Sequence, residues 1–319
     1  MARPSMPADY LHNHRQFGDL LRIVADNEKI AVALVEKDYW IMHSLYGLQQ
    51  LGLRFELKGG TSLSKGHGII HRFSEDIDIR IEPPAELKVA TGRNHNKPAQ
   101  VESRKAFYDH LARTIHMDGV TSVERDTAFD DARYRSGGIR LVYKPIGASV
   151  PGLKDGILLE VGFDDVAPNT AKDISSWAYE FAADKVEILD NRAKAVACYD
   201  PGHTLVEKLQ AISTKFRQQQ DSGAFPANFM RHYYDVHCLL QQPGVQAFVG
   251  SEAYQAHKQK RFPAADNPDL TQNQAFILGD PATRAAFENA YAASRALYYR
   301  DQPALGEILT AIAAWAHRL

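Results

Sequence analysis

The sequence predicts an α+β fold, with a small mixed β-sheet, N-terminal helices and a helical C-terminal region. Three observations support this class. Apolar residues recur at helical spacing from about residue 15 to 51. Strand-like runs then follow between about residues 53 and 164. Helical patterns return at about residue 203 and continue to the end of the chain.

The composition is that of an ordinary soluble protein of one or two domains. Of 319 residues, 45% are hydrophobic and 24% are charged. The net charge of −2 provides no global basic field for nucleic acid, although a local patch would still suffice for RNA. Only Cys198 and Cys238 are cysteines, so we expect a reducing cytoplasm. The start MARPSMPADY lacks signal-peptide features, and no apolar run reaches the ~20 residues of a membrane span.

The N-terminal helical stretch carries an apolar stripe and ends at Gly52. The stripe consists of Leu34, Ile41, Leu45 and Leu48. Glu36, Lys37 and Asp38 interrupt it, and we interpret these three charged residues as a solvated face of the helix. Further along, the polar, proline-rich residues 83–100 predict a mobile loop beside the site described next.

The segment DIDIRI, residues 76–81, alternates strictly between apolar and charged residues. In a strand, this alternation places Asp76 and Asp78 on the same face, one pleat apart. Two carboxylates at this spacing repel each other unless a cation lies between them, and their hard oxygen atoms suit one or two Mg²⁺ ions. Taken alone, this common pattern favours a half-buried edge strand with a solvated acidic face.

The residues before this strand change the interpretation. RFELKGG predicts a strand that runs into a double-glycine turn, after which Thr61 and Ser62 open a short helical segment. Gly59 and Gly60 allow the backbone to approach a ligand, and free N–H groups at a helix start suit phosphate. Neither a Walker A loop nor a Rossmann fingerprint is present. The pattern predicts a phosphate cradle that faces a metal site.

A Gly-Gly-Thr-Ser element followed by Asp-x-Asp resembles the signature of DNA polymerase β-like nucleotidyltransferases. The segment KGGTSLSKG…RFSEDIDI resembles the AbiEii/AbiGii toxin branch of that superfamily. Three further stretches are similar to motifs of this branch and occur in the family order. They are VEKDYWI (35–41), HTLVEKLQA (203–211) and RHYYD (231–235), in which His232 replaces a frequent second aspartate.

The resemblance implies a nucleotidyltransferase that moves a nucleoside monophosphate from an NTP to an acceptor. It implies Mg²⁺ or Mn²⁺ bound by Asp76 and Asp78, and an RNA end such as tRNA as the acceptor. It also implies a toxin with a cognate antitoxin encoded nearby. We expect residues 1–170 to form the nucleotidyltransferase core with its N-terminal helices. Residues 171–319 are expected to form a mainly helical domain that completes the nucleotide cleft.

A third carboxylate is usual on a later strand of this superfamily, and two residues qualify. Glu160 lies between apolar residues in GILLEVGFD, where burial without a partner or metal would be costly, so we favour it over Asp164. A strand-edge glutamate that faces water is the alternative.

Outside the sheet, the resemblance points to Lys208, Arg231 and Asp235. Lys208 would supply a point charge to the triphosphate, although a surface lysine fits the pattern equally. Asp235 would be catalytic or position the nucleotide. Arg231 would bind the nucleotide, and its spacing of four from Asp235 also allows the two side chains simply to pair.

The remaining nucleotide-binding candidates lie around the cradle. They are Gly59, Gly60, Thr61, Ser62, Lys65 and Ser74. Capping or turn roles for the serines and a solvent-facing role for Lys65 are the structural alternatives. Two other functions remain open for the whole chain, namely a nucleotidyltransferase that modifies protein and an inactive module that binds nucleotide or RNA.

Overall fold

The computed structural model describes residues 8–147 and 153–319, which form two compact units. Unit 1 runs to Gly66 and resumes at Ser74–Cys198, and unit 2 consists of His67–Phe73 with Tyr199–Leu319. The sequence predicts a boundary at 170/171, which differs from this division because the segment after residue 170 supplies further strands to the sheet. The first seven residues, which carry most of the stretch tested for a signal peptide, lie outside the described residues.

Unit 1 contains a mixed sheet that has seven strands within the described residues, in the order β3-β4-β5-β2-β1-β7-β6. The strands are β1 (Phe55–Lys58), β2 (Asp76–Ile81), β3 (Val120–Asp126), β4 (Ser136–Tyr143), β5 (Ile157–Gly162), β6 (Asn169–Ile174) and β7 (Ala193–Tyr199). Strand β2 pairs antiparallel with β1 and parallel with β5. The predicted α+β class with a mixed sheet is confirmed.

Strand β2 lies inside the sheet and has the alternating burial that its sequence predicts. Its three isoleucines are fully buried, whereas Asp76, Asp78 and Arg80 are half-buried on the opposite face. Because β1 and β5 flank it on both sides, β2 is not an edge strand. The alternative of a half-buried edge strand is therefore wrong about the edge, because β2 is internal.

Helices complete unit 1, and a short one follows β1 directly. They are α1 (Phe17–Glu28), α2 (Val32–Gln50), α3 (Gly59–Thr61), α4 (Pro98–Thr114) and α5 (Trp177–Ala182). Helix α3 continues as one π-helical turn, Ser62–Gly66, so the helical segment begins at Gly59, two residues before the predicted start at Thr61.

The proline-rich loop after β2, which the sequence predicts to be mobile, is anchored in the structure by two arginine side chains. Arg104 on α4 is fully buried, and its guanidinium donates hydrogen bonds to the carbonyls of Ala90 and His95. Arg135 donates to further carbonyls of the same loop. These bonds satisfy backbone acceptors that a free loop would leave to water.

Unit 2 is helical, apart from the segment His67–Phe73 that it takes from between α3 and β2. Its helices are α6 (Pro201–Ser222), α7 (Arg231–Leu240), α8 (Pro243–Phe248), α9 (Glu252–Arg261), α10 (Gln274–Ile277), α11 (Pro281–Ala292) and α12 (Leu305–Trp315). Helix α6 begins where Asp200 caps the N–H of His203 and Pro201 occupies the first turn. None of the helices described in either unit is both long and apolar enough to cross a bilayer.

Candidate active site

Three acidic residues, Asp76, Asp78 and Glu160, lie on one face of the sheet, which we call the acidic face. Asp78 on β2 is directly opposite Glu160 on the parallel strand β5. Lys58, the last residue of β1, is opposite Asp78 on its other side. Directly opposed residues of neighbouring strands share a face, so Glu160 meets the geometric condition for a third carboxylate. Asp164 lies beyond the end of β5.

Burial and repulsion between carboxylates together raise the pKa values of Glu160 and Asp76 on this face. The negative charge of Asp78, followed by burial, raises the pKa of Glu160 to about 7. Burial also raises the pKa of Asp76, with Asp78 adding to the effect and Lys154 opposing it. These carboxylates are therefore held together at an electrostatic cost, which a positive charge placed among them would remove.

The donor chemistry of the acidic face fits a hard divalent cation, because such ions prefer carboxylate oxygens. As the side chains stand, however, no group of three or more His, Cys, Asp or Glu residues among those described is arranged to hold a metal ion. The predicted ligation by Asp76, Asp78 and Glu160 thus stays a prediction.

A glycine is required at position 59 both by the backbone conformation of the turn and by the nearby side chain of Asp78. Its φ of +69° is in the left-handed region, and a Cβ placed on it would overlap Oδ2 of Asp78 and lie 2.9 Å from Cγ. The sequence predicts a close approach of this backbone to a ligand. In the structure, the approach is to the carboxylate of Asp78, which the glycine allows to lie against the turn.

The hydroxyl groups of the predicted phosphate cradle, residues 59–62, point into the protein. Thr61 is fully buried, and its Oγ1 donates a hydrogen bond of 2.6 Å to the carbonyl of Asp76. Ser62 is fully buried with its hydroxyl beside the thiol of Cys198. Gly60 is buried as well, and Ser74 is half-buried just before β2. The bond from Thr61 ties the turn to the strand that carries both aspartates.

The charged residues of α2 are buried, so the interpretation as a solvated face is wrong. Glu36, Lys37 and Asp38 are 2%, 1% and 1% exposed. Glu36 accepts the N–H of Ile146, and Asp38 accepts the N–H of Trp177. Each of these residues holds a different segment of unit 1, which explains how a helix can bury three consecutive charges.

Lys65 is part of this buried network and not a solvent-facing residue. Its Nζ lies 2.7 Å from Oδ1 of Asp38 and 4.9 Å from the ring centroid of Trp177. Burial raises the pKa of Asp38, and the charge of Lys65 opposes the shift. A contact of Lys65 with phosphate stays a prediction, and it would have to compete with this ion pair.

Unit 2 contains a second buried charge cluster, centred on Asp235. Arg72 donates two hydrogen bonds of 2.7 Å to the two carboxylate oxygens, and Nζ of Lys208 lies 3.1 Å from Oδ2. Burial opposes ionisation of Asp235, but Arg72 and then Lys208 outweigh it and hold its pKa well below the usual range. Lys208 is only 12% exposed, so the alternative of a surface lysine is wrong.

Arg72 is the charged residue of this cluster that sequence reasoning misses. The sequence does contain a clue to its importance, because Arg72 lies in the motif HRFSEDID, four residues before Asp76. Arg231 is half-buried at the start of α7, and Nδ1 of the adjacent His232 lies 3.5 Å from Nζ of Lys208. The roles of Arg231, Lys208 and Asp235 in nucleotide binding or catalysis stay predictions.

Comparison with known proteins identifies the family. The model of the nucleotidyl transferase AbiEii toxin family, from type IV toxin–antitoxin systems, matches residues 41–317. An antigenic nucleotidyltransferase-like protein from Paracoccidioides brasiliensis is similar over 79% of this chain and 92% of its own, with 14% identity and a TM-score of 0.37. None of the curated proteins matches. Because the family model spans most of the sequence, this chain belongs to the AbiEii nucleotidyltransferase toxins.

Proposed function

We propose that this nucleotidyltransferase moves a nucleoside monophosphate from an NTP to an RNA end, such as that of tRNA, with Mg²⁺ or Mn²⁺. The observation that carries the proposal is the register of Asp78 with Glu160 on the face that also bears Asp76. Such a costly concentration of negative charge has a use in a site that binds cations and nucleotides. We further propose that the protein acts in the cytoplasm and is neutralised by a cognate antitoxin.

In this proposal, some residues bind the cations and the phosphates, and others position the groups that do so. Asp76, Asp78 and Glu160 would hold the divalent cations, which supply charge neutralisation at the phosphates and activation of the attacking oxygen. The backbone of the turn Gly59–Ser62 would cradle phosphate, because its threonine and serine hydroxyls are directed inward. Catalysis of this kind depends mainly on positioning and charge, as in other phosphoryl transfers.

In this proposal, Asp235 positions the side chain of Lys208. Its two carboxylate oxygens are held by Arg72, so the ammonium group of Lys208 is directed by a fixed partner. Lys208 would present that charge to the triphosphate. The whole cluster lies within unit 2, whereas the acidic face lies in unit 1.

The test is to incubate the protein with each labelled NTP and with either total RNA or total protein, with Mg²⁺ or with EDTA. We expect label in the RNA pool only, and only with the metal. Asp78→Asn should abolish labelling, whereas Asp26→Asn, an exposed aspartate of α1, should not. Label in protein would overturn the RNA acceptor, and labelling that persists in EDTA would overturn the metal dependence. Binding of NTP without transfer to either pool would favour an inactive binding module.

A further inference from the structure

The backbone of Lys154 is fixed on both sides by buried charged side chains. Nζ of Lys37 on α2 donates a hydrogen bond to the carbonyl of Lys154. Oε2 of Glu75, the residue before β2, accepts its N–H at 3.1 Å. The side chains of Lys37 and Glu75 are 1% and 3% exposed, and their charged atoms lie 3.8 Å apart. Both peptide groups of Lys154 are therefore clamped from the protein interior.

Burying these two charges requires an explanation beyond stability. Desolvation of a buried ion pair can exceed the attraction between its members, so such a pair is weak evidence for a stabilising role. What Lys37 and Glu75 share is the backbone of Lys154. Glu75 also immediately precedes Asp76. The pair thus fixes Lys154 relative to the start of the strand that carries the acidic face.

From this fixed backbone, the side chain of Lys154 extends to the acidic face. Its Nζ lies 3.8 Å from Oδ2 of Asp76 and 4.8 Å from the ring centroid of Phe129. The side chain is 39% exposed, while that of Asp76 is 17% exposed. The ammonium group therefore has a carboxylate and an aromatic face on the protein side and water on the other.

We infer that Lys154 is a further substrate-contacting residue, which binds a phosphate group beside Asp76. This inference rests on the proposed function. A polyanionic substrate that approaches three carboxylates needs positive charge next to them, and Lys154 supplies one. A lysine is a compact charge on a flexible stem, so Nζ can turn from Asp76 to a phosphate oxygen while the clamped backbone stays in place.

The phosphate can belong to the nucleoside triphosphate or to the RNA acceptor, and direct binding distinguishes these sources. Calorimetry with each NTP plus Mg²⁺, and separately with a 5′-phosphorylated RNA oligonucleotide, should be done on the full chain. We expect Lys154→Ala to weaken one of these ligands about 10- to 100-fold, the range for a lost bond to a charged group. Lys154→Arg should keep most of the affinity.

Lys144→Ala is the matched control, because Lys144 is an exposed lysine at the loop after β4. It should bind both ligands as the parent does. Lys154→Ala with parental affinity for the NTPs and for the RNA overturns the inference. Failure of the proposed function has a different signature, since the parent protein itself would then put no label into RNA, whatever the affinity of Lys154→Ala.

Discussion

Asp78 and Glu160 face each other directly across the parallel strands β2 and β5, and they raise the energy of the folded, cation-free protein together. A stable core would not retain two opposed carboxylates on adjacent strands, since like charges directly opposite each other are destabilising. Their pairing is the arrangement on which the proposed cation site rests.

Asp76→Asn and Asp78→Asn should each reduce nucleotide transfer at least ~10²-fold, the scale for removal of a key electrostatic group. Both side chains are half-buried on the acidic face, so the fold should survive. Transfer rates and thermal melts measure the two effects, with exposed Asp26→Asn as control. Near-parental transfer by a folded variant of either aspartate would remove that residue from the site.

Glu160→Gln should lower transfer yet stabilise the cation-free protein at alkaline pH. The folded pKa of Glu160, about 7, is above the ~4.3 of an unfolded glutamate. Protonated Glu160 therefore favours the folded state at low pH, and the parent loses this contribution as the pH rises from about 4 through 7. Urea unfolding in EDTA at pH 8 should show the variant about 1–3 kcal/mol more stable.

At pH 4 the advantage of Glu160→Gln should vanish, because both states of the parent are then largely protonated at this position. Glu28→Gln, an exposed glutamate at the end of α1, should show no such pH dependence. Equal stability of Glu160→Gln and parent at pH 8 would contradict the repulsion between Asp78 and Glu160.

Gly59→Ala should impair both folding and transfer, because its Cβ would overlap the carboxylate of Asp78. Gly52→Ala is a closely matched control. Gly52 has φ +73°, similar to the +69° of Gly59, but open space where its Cβ would lie. Conformational strain alone should cost Gly52→Ala about 1 kcal/mol. Denaturant unfolding should show a clearly larger loss for Gly59→Ala, and equal losses would mean that the contact with Asp78 is unimportant.

Lys208→Ala should raise the KM for the NTP and lower kcat, because it removes a phosphate charge that persists into the transition state. The carboxylate of Asp235 keeps its bidentate bond with Arg72, so the variant should remain folded. Calorimetry of NTP binding with Mg²⁺ measures the effect directly. Parental affinity in Lys208→Ala would restrict this lysine to a structural role beside Asp235.

Arg72→Met should destabilise the protein by about 3–5 kcal/mol, since it leaves a buried carboxylate without its bidentate partner. Arg72→Lys should lose less, because it keeps the charge and gives up only the two-bond geometry. Arg284→Met breaks an exposed pair with Glu288 and should cost less than about 0.5 kcal/mol. Urea titrations compare the three variants, and a loss from Arg72→Met no larger than that of the control would contradict the structural role.

The sequence predicts what depends on local periodicity. The alternation in β2 follows from the geometry of any strand, and it was sufficient to place Asp76 and Asp78 on one face. The helical segment after Gly59 likewise follows from a short pattern of residues. In each case the neighbours that decide the conformation are within a few positions along the chain.

What the sequence does not predict depends on partners distant along the chain. Glu36, Lys37 and Asp38 have the pattern of a solvated face, and only segments more than 25 positions away bury them. Arg72 and Asp235 are separated by 163 positions, so no periodicity joins them. The register of Asp78 with Glu160 is of the same kind, because each strand alone shows only which of its own residues share a face.

The passage of the chain through unit 2 at His67–Phe73 limits how this protein can be divided. Arg72 is encoded between the cradle and the aspartate strand, yet its carboxylate partner is in α7. A fragment that starts at Tyr199 would keep Asp235 and lose the guanidinium that neutralises it. A single cut of the chain between residues 198 and 199 therefore separates the members of one ion pair, so no continuous stretch of sequence that begins at Tyr199 contains the whole of unit 2.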